Sequence, residues 1–226
     1  MKKSIIIISC AFLFISSILF ESCKKDNAKP EQELSKSIKN FVPDTLLQKI
    51  IGLGMPVNKG LTPPHFEHIY LASPFILVNS NISYDYPGKS FADYAIQFYD
   101  QNNDSLSVKV SYVNGPEEGS GLGAFISGSG NKFSVFVKVN STYNNTNAQM
   151  LHIISGTVTD SGIKDLYFAN FMLNNYGNEY GYWIEQGEGR VIYDSDGSSP
   201  IISSLKSATV ESFTQKNLHS FSGGIK

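Results

Sequence analysis

The sequence is poor in cysteine and has no excess of positive charge. Its 226 residues include only two cysteines, Cys10 and Cys23, and both lie near the N-terminus. The remainder therefore has no thiol for a disulfide framework or a thiolate metal site. Acidic residues slightly outnumber basic ones, 20 to 18, for a formal net charge of −2. Such a chain cannot neutralise many phosphates, which argues against nucleic acid as a partner.

The chain also lacks a complete catalytic or metal-binding motif. His65 and His68 are three residues apart, whereas the helical zinc motif places its histidines four apart. Asp100, Asn102 and Asp104 alternate as in a calcium loop, but serine replaces the glycine and the glutamate that such a loop needs. The glycine-rich stretch 119–123 enters a strand, without the Gly-Lys-Ser/Thr of a phosphate loop. We predict no enzyme activity, no metal site and no cofactor.

We interpret two further features of the sequence, a pair of glutamates and one histidine, as structural. Glu117 and Glu118 follow Pro116 in a predicted loop, and we expect both carboxylates to be solvated. His152 shares a strand face with Met150 and Ile154, which indicates a hydrogen-bonded histidine in the core or lumen.

The first 23 residues have the order of a secretory signal. Lys2 and Lys3 precede an apolar run from Ile5 to Phe20, and Ser22 and Cys23 end the segment. The run is shorter than the roughly 20 apolar residues of a spanning helix. It predicts a signal peptide over residues 1–22. An ordinary cleaved signal with an incidental cysteine, or an uncleaved span, are the alternatives.

The end of this segment resembles the lipobox of bacterial lipoproteins. The resemblance implies that Cys23 is lipidated, becomes the first mature residue and anchors the protein to a membrane. Lys24, where aspartate would favour the inner membrane, implies the outer membrane of the cell envelope. Residues 23–40 are expected to form the anchor and a flexible tether, because the stretch after Cys23 has too few large apolar side chains to fold.

From residue 68 onward, apolar side chains recur at every second position. Val108 and Val110, like Val135 and Val137, alternate with polar residues, which predicts strands with one buried and one wet face. These four valines should be core. A short helix is expected over residues 45–51, with Asp44 as its cap. We assign an antiparallel β domain to residues 41–200 and leave a C-terminal extension, 201–226, without a structure.

Turn-forming residues separate consecutive strands, which favours hairpins over parallel crossovers. About eight such strands predict an all-β fold, an antiparallel up-and-down β-barrel, with a two-sheet β-sandwich as the alternative. Over residues 44–194, the helix and the strand meander resemble lipocalin-like bacterial lipoproteins. The resemblance implies a barrel that binds a ligand.

One aromatic cluster stands out near the end of the predicted domain, in a segment expected to be a strand from Tyr182 to Tyr193. Its members are Tyr176, Tyr180, Tyr182 and Trp183. Rings beside amides and carboxylates suit a small apolar molecule or a glycan, although they would also plug a barrel mouth. Gly181 would have to bend for all the rings to share one site. We expect a non-catalytic binding module. The alternative is a structural or accessory subunit with an envelope protein as its partner.

Replacing Cys23 tests the anchor. In membrane fractionation, the wild-type protein should appear as a processed species in the membrane fraction, and Cys23→Ala should lose that species because it cannot be lipidated. Cys10→Ala, inside the apolar run, should behave as the wild type. A variant that stays membrane-bound, beside a wild type that is mainly unprocessed, would contradict the prediction.

Overall fold

The computed structural model of the protein describes residues 33–205 and confirms the expected all-β fold. The predicted signal peptide, Cys23 and the tail from residue 206 lie outside this range. Within this range, the helices are α1 (Lys36–Phe41) and α2 (Asp44–Gly52). Neither of these helices, within the part that the structure describes, is long and apolar enough to cross a membrane.

Twelve strands follow the helices in the described chain. The first six are β1 (Leu61–Thr62), β2 (Ile69–Ala72), β3 (Phe75–Ser80), β4 (Ser90–Phe91), β5 (Tyr94–Asn102) and β6 (Ser107–Asn114). The others are β7 (Glu117–Ser129), β8 (Lys132–Tyr143), β9 (Thr146–Thr159), β10 (Gly162–Asn174), β11 (Gly189–Asp194) and β12 (Ser198–Ile202).

Backbone pairing runs around a ring of eight strands and returns to its start. The order is β12, β2, β5, β6, β7, β8, β9 and β10, and β10 pairs again with β12. Every pairing within this ring is antiparallel. The expectation of a purely antiparallel sheet was wrong, because the short β1 runs parallel to the end of β7. Two residues suffice for that pairing, since Gly60 and Gly128 let the backbones approach closely.

The ring closes along one edge of β10, which is shared by two strands. Residues 167–171 of that edge pair with β11, and residues 162–164 pair with β12. Gly162 has φ +157°, and a Cβ at this position would overlap the carbonyl of Ser199. Closure of the ring therefore depends on glycine at position 162, where β10 pairs with β12.

Three neighbouring strands of the ring, β2, β5 and β12, each adjoin a second strand in the chain after a short break, and the three breaks lie at the same level. Residues 73–74 separate β2 from β3, residues 92–93 separate β4 from β5, and residues 195–197 separate β11 from β12. Pro74 lacks the N–H that a ladder would need, and its carbonyl accepts a hydrogen bond from Ser195 N at 2.9 Å. We call this line of breaks the seam. Above it, β11, β3 and β4 continue the wall as paired strands.

Residues 33–205 form two apolar clusters, one on each side of the sheet. The ring interior is filled by large side chains, including Tyr70, Tyr94, Phe98, Tyr112, Phe133 and Phe168. The valines predicted to be core, Val108, Val110, Val135 and Val137, are confirmed at 1% exposure or less.

The second cluster lies outside the ring, where the two helices cover β8 to β11. Ile38 and Ile50 pack there against Phe136, Leu151 and Phe171. The prediction of one wet face was therefore wrong for β8, because Phe136 on its outer face is also buried. Helix α1 takes up residues 36–40 of the expected tether. Helix α2 was expected, but Asp44 is its first residue and not its cap, because Pro43 occupies the N-cap position.

The glycine-rich stretch in β7 makes room for the interior side chains. A Cβ at Gly119 would lie 2.6 Å from Tyr112 Cε1, and one at Gly121 would overlap Val137 Cγ2. The register of β7 then shifts between Ser120 and Phe125, which is typical of a bulge that bends a strand. The stretch is thus a packing feature of the ring.

A double-mutant cycle tests this packing. Gly121→Ala should lower the free energy of unfolding by about 1–3 kcal/mol, because the methyl group overpacks the interior. In Val137→Ala the same methyl group would find space, so the double variant should lose less than the sum of the two single variants. Chemical denaturation measures all four proteins. If the losses of the two single variants simply add in the double variant, position 121 does not contact Val137 directly.

Candidate functional site

The two ends of the ring differ, and one of them is covered. At the covered end, Phe66 is buried and stacks on Phe133 with ring centroids 4.3 Å apart. At the other end, three connections meet around an open hollow: the β6–β7 turn, the β8–β9 turn and the β10–β11 loop. We call this open end the mouth.

The β10–β11 connection, residues 175–188, holds the aromatic cluster, and we call it the aromatic loop. The expected strand from Tyr182 to Tyr193 was wrong for its first part, since β11 begins only at Gly189. Asparagine side chains shape the loop by bonding to its backbone. Asn178 accepts a hydrogen bond from Trp183 N at 2.9 Å and donates one to Trp183 O at 2.7 Å. Asn175 Nδ2 donates to Ile184 O at 3.3 Å.

The loop brings together all four aromatic residues that the sequence indicated. Tyr180 and Tyr182 stack with ring centroids 5.8 Å apart, and Tyr143 packs edge-on against both Tyr182 and Trp183. Gly181, at φ +66°, supplies the bend needed to place Tyr182 and Trp183 around one ring.

These rings border a shallow hollow of about 120 Å³ whose lining also includes Asn147, Asn178 and Glu179. Tyr176 and Tyr180 are 62% and 64% exposed, so most of their surface faces solvent. Trp183 is half-buried, and its Nε1 donates a hydrogen bond to Thr146 Oγ1 at 2.9 Å. Trp183 thereby ties the loop to the β8–β9 turn.

A larger hollow of about 450 Å³ opens beside Tyr182 and Trp183 and contains a carboxylate. The prediction that both Glu117 and Glu118 are solvated was wrong for Glu117. Its Oε1 accepts a hydrogen bond from Tyr112 Oη at 2.5 Å, and Tyr112 Oη also lies 2.6 Å from Ser141 Oγ. Burial raises the pKa of Glu117, although the hydrogen bond from Tyr112 and the positive charge of Arg190 oppose that shift.

Arg190 also borders this larger hollow and is held by an ion pair. Its Nε donates to Asp85 Oδ2 at 2.7 Å, and Lys89 Nζ lies 2.6 Å from Asp85 Oδ1. Burial alone would raise the pKa of Asp85, but these two cations outweigh it and hold the pKa below its usual value. Sequence reasoning missed Glu117, Arg190 and Asn170, which all line the hollow. Arg190 could have been found, because it is the only arginine in the sequence.

His152 lies in the ring interior, on the Met150/Ile154 face as expected, but the hydrogen bond predicted for it is not formed within residues 33–205. Its ring contacts Tyr112 and Phe168, and neither ring nitrogen has a hydrogen-bond partner among residues 33–205. Burial lowers the pKa of His152 to about 3, so the imidazole is neutral near pH 7.

His65 and the acidic loop at residues 100–104 make ordinary surface contacts. His65 Nε2 lies 3.2 Å from Glu67 Oε2, and Asp100 pairs with Lys109 at 2.6 Å. Asn102 Oδ1 accepts a hydrogen bond from Ser105 N, which is typical of an asparagine turn. Within residues 33–205, no three His, Cys, Asp or Glu side chains group closely enough to hold a metal ion.

Fold and site together define an all-β protein with a closed ring of strands and an aromatic loop over one open end. Comparison with known proteins found no matching family model, no matching curated protein and no matching solved structure.

The bond between Trp183 and Thr146 gives a test of the loop. Thr146→Val removes the acceptor for the indole N–H and the donor to Tyr143 O, so the loop should loosen at a cost of about 1 kcal/mol. The emission of Trp183 should shift to the red and acrylamide should quench it more strongly. Thr146→Ser keeps the hydroxyl and should resemble the wild type. Unchanged quenching in Thr146→Val would show that the hydrogen bond between Trp183 and Thr146 does not hold the loop in place.

Proposed function

We propose that the protein is a lipid-anchored cell-envelope protein that binds a glycan at the mouth and catalyses no reaction. In this proposal the ring is an up-and-down β-barrel of the lipocalin type, and Cys23 holds it at the outer membrane. The observation that carries the proposal is the aromatic loop, where Tyr180, Tyr182 and Trp183 lie beside amides and a carboxylate. Flat rings can stack on the apolar face of a sugar while polar neighbours bond its hydroxyl groups.

The filled interior favours a glycan over a small apolar molecule. Apolar ligands bind in concave sites that bury most of their surface. Here the corresponding space in the ring is taken up by Tyr94, Tyr112 and Phe168, whose rings contact one another or His152. The aromatic loop instead presents exposed rings around shallow, open hollows, and that shape suits a long polar ligand.

Backbone strain in the loop also supports a role in binding. Tyr176 has φ +49°, a left-handed conformation that costs a bulky residue of the order of 1–3 kcal/mol. Such strain tends to persist where function requires it. In this conformation the Tyr176 ring borders the same hollow as Tyr180 and Tyr182.

The second candidate is an accessory subunit of an envelope complex. Exposed tyrosines also occur outside the aromatic loop, since Tyr84 and Tyr86 are 64% and 63% exposed. Tyrosine is enriched in protein interfaces. The ring interior is already filled by its own side chains, which also favours a role in assembly over the binding of a small ligand.

Fluorescence of Trp183, the only tryptophan, separates these functions. The chain without its signal and with Cys23→Ser is titrated with panels of oligosaccharides and of fatty acids. At least one oligosaccharide should change the emission, and Tyr182→Ala should weaken its binding by about 1–3 kcal/mol, the range of an aromatic anchor.

Tyr99→Ala is the matched control. Tyr99 lies five residues along β5 from Tyr94, whose partner on β6, Asn114, borders the mouth, so its ring is remote from the loop. A response to fatty acids alone would replace the glycan with an apolar ligand. The absence of any response would favour the accessory subunit.

A further inference from the structure

The larger hollow at the mouth has polar walls that the aromatic loop does not explain. Building on the proposed function, we infer that this hollow binds a single cyclic polyol, such as the terminal sugar ring of a glycan, which enters end-on and bonds to Asn170 and Glu117. The glycan would thus be recognised by its end, while Tyr180 and Tyr182 contact the units that follow.

The first observation is a row of polar side chains across neighbouring strands. Asn170 on β10 pairs with His152 on β9 and with Arg190 on β11. Directly opposite residues of antiparallel strands project to the same side of a sheet. Because His152 faces the interior, Asn170 and Arg190 also face inward, and both border the hollow.

The second observation is unused hydrogen-bonding capacity in this row. Asn170 Oδ1 is buried and has no partner within the described part of the chain, and the same holds for both ring nitrogens of His152, which is 1% exposed. Tyr94 Oη is a further buried hydroxyl group without a partner among residues 33–205. Buried polar groups are rarely left unpaired, because each one costs free energy.

The groups that need partners include both donors and acceptors. Asn170 Oδ1 requires a donor, whereas a neutral imidazole such as that of His152 offers one N–H and one acceptor nitrogen. Of these groups, Asn170 lines the hollow, and a sugar hydroxyl group can donate to its Oδ1. An apolar ligand would leave Asn170 Oδ1 unpaired.

The balance of charge in the hollow favours a neutral ligand. Glu117 is the carboxylate of the wall, and the positive charge of Arg190, which also lines the hollow, is close enough to lower the pKa of Glu117. Arg190 and Lys89 both contact Asp85, so two cations and two carboxylates formally cancel. A charged ligand would unbalance this set, whereas a hydroxyl group can donate to Glu117 without doing so.

The closed floor of the hollow explains why the ligand must enter end-on. Tyr112, His152 and Phe168 pack against one another beneath it, with ring centroids 4.7–4.9 Å apart in the two contacts of His152. A chain cannot pass through this floor. At the rim, Tyr182 and Trp183 border both hollows, so they connect the bound ring to the aromatic loop.

The test uses Trp183 emission in the chain with Cys23→Ser and the same panel of oligosaccharides. Each oligosaccharide that binds is competed with the monosaccharides of its two ends. One of these should compete. Asn170→Ala should weaken its binding about tenfold, which is the effect of losing one buried hydrogen bond. Glu117→Gln should weaken it by a smaller factor, because a neutral hydrogen bond replaces one to a carboxylate. Glu117→Gln keeps an acceptor for Tyr112, so it separates ligand binding from folding. Tyr99→Ala should leave the competition unchanged.

The outcomes distinguish this inference from the function on which it rests. An oligosaccharide that binds more tightly than its terminal sugar, with the gain removed by Tyr180→Ala, identifies a glycan end; equal affinities identify a free monosaccharide as the cyclic polyol. If oligosaccharides bind through Tyr182 but no monosaccharide competes and both wall variants bind normally, end-on recognition is wrong and the glycan function stands. If no sugar binds, both are wrong.

Discussion

Closure of the ring through β10 is the constraint on which the rest of the structure depends. One edge of this strand pairs with β9, and the other is divided between β11 and β12. Closure fixes the size of the interior, and Gly119 and Gly121 leave room in it for the side chains of Tyr112 and Val137. It also leaves just two ends to the ring. Because Phe66 covers one of them, the mouth is where side chains from several strands can meet a ligand.

Local sequence patterns predicted the all-β fold and much of the interior, but they failed where non-local packing decides burial. Val108 and Val135 are core because strand side chains alternate in direction, and this depends only on neighbouring residues. The burial of Phe136 and Leu151 on the opposite face depends on helices that lie far away in the sequence. The available sign was the cluster of Met150, Leu151, Ile153 and Ile154 in β9, broken only by His152, since strands covered on both faces lose their alternation.

The candidate site likewise has one part that the sequence predicted and one part that it did not. The aromatic loop could be predicted because its four aromatic residues lie within eight positions and need no knowledge of pairing. The walls of the larger hollow could not. Glu117, Asn170 and Arg190 come from three strands, and they meet only because of the registers between those strands. The side to which Glu117 points was hidden because it was assigned to a loop, whereas it is the first residue of β7.

The seam has a consequence for how such a protein can diverge over evolution. The circuit of eight strands is complete below the seam, through β10, β12, β2 and β5, and does not require β11, β3 or β4. Those upper segments carry Arg190 and one attachment of the aromatic loop. Insertions, deletions and substitutions in β11, β3 and β4 would therefore leave the closed circuit intact. Descendants of one ancestral chain could acquire different ligand preferences while inheriting the same scaffold.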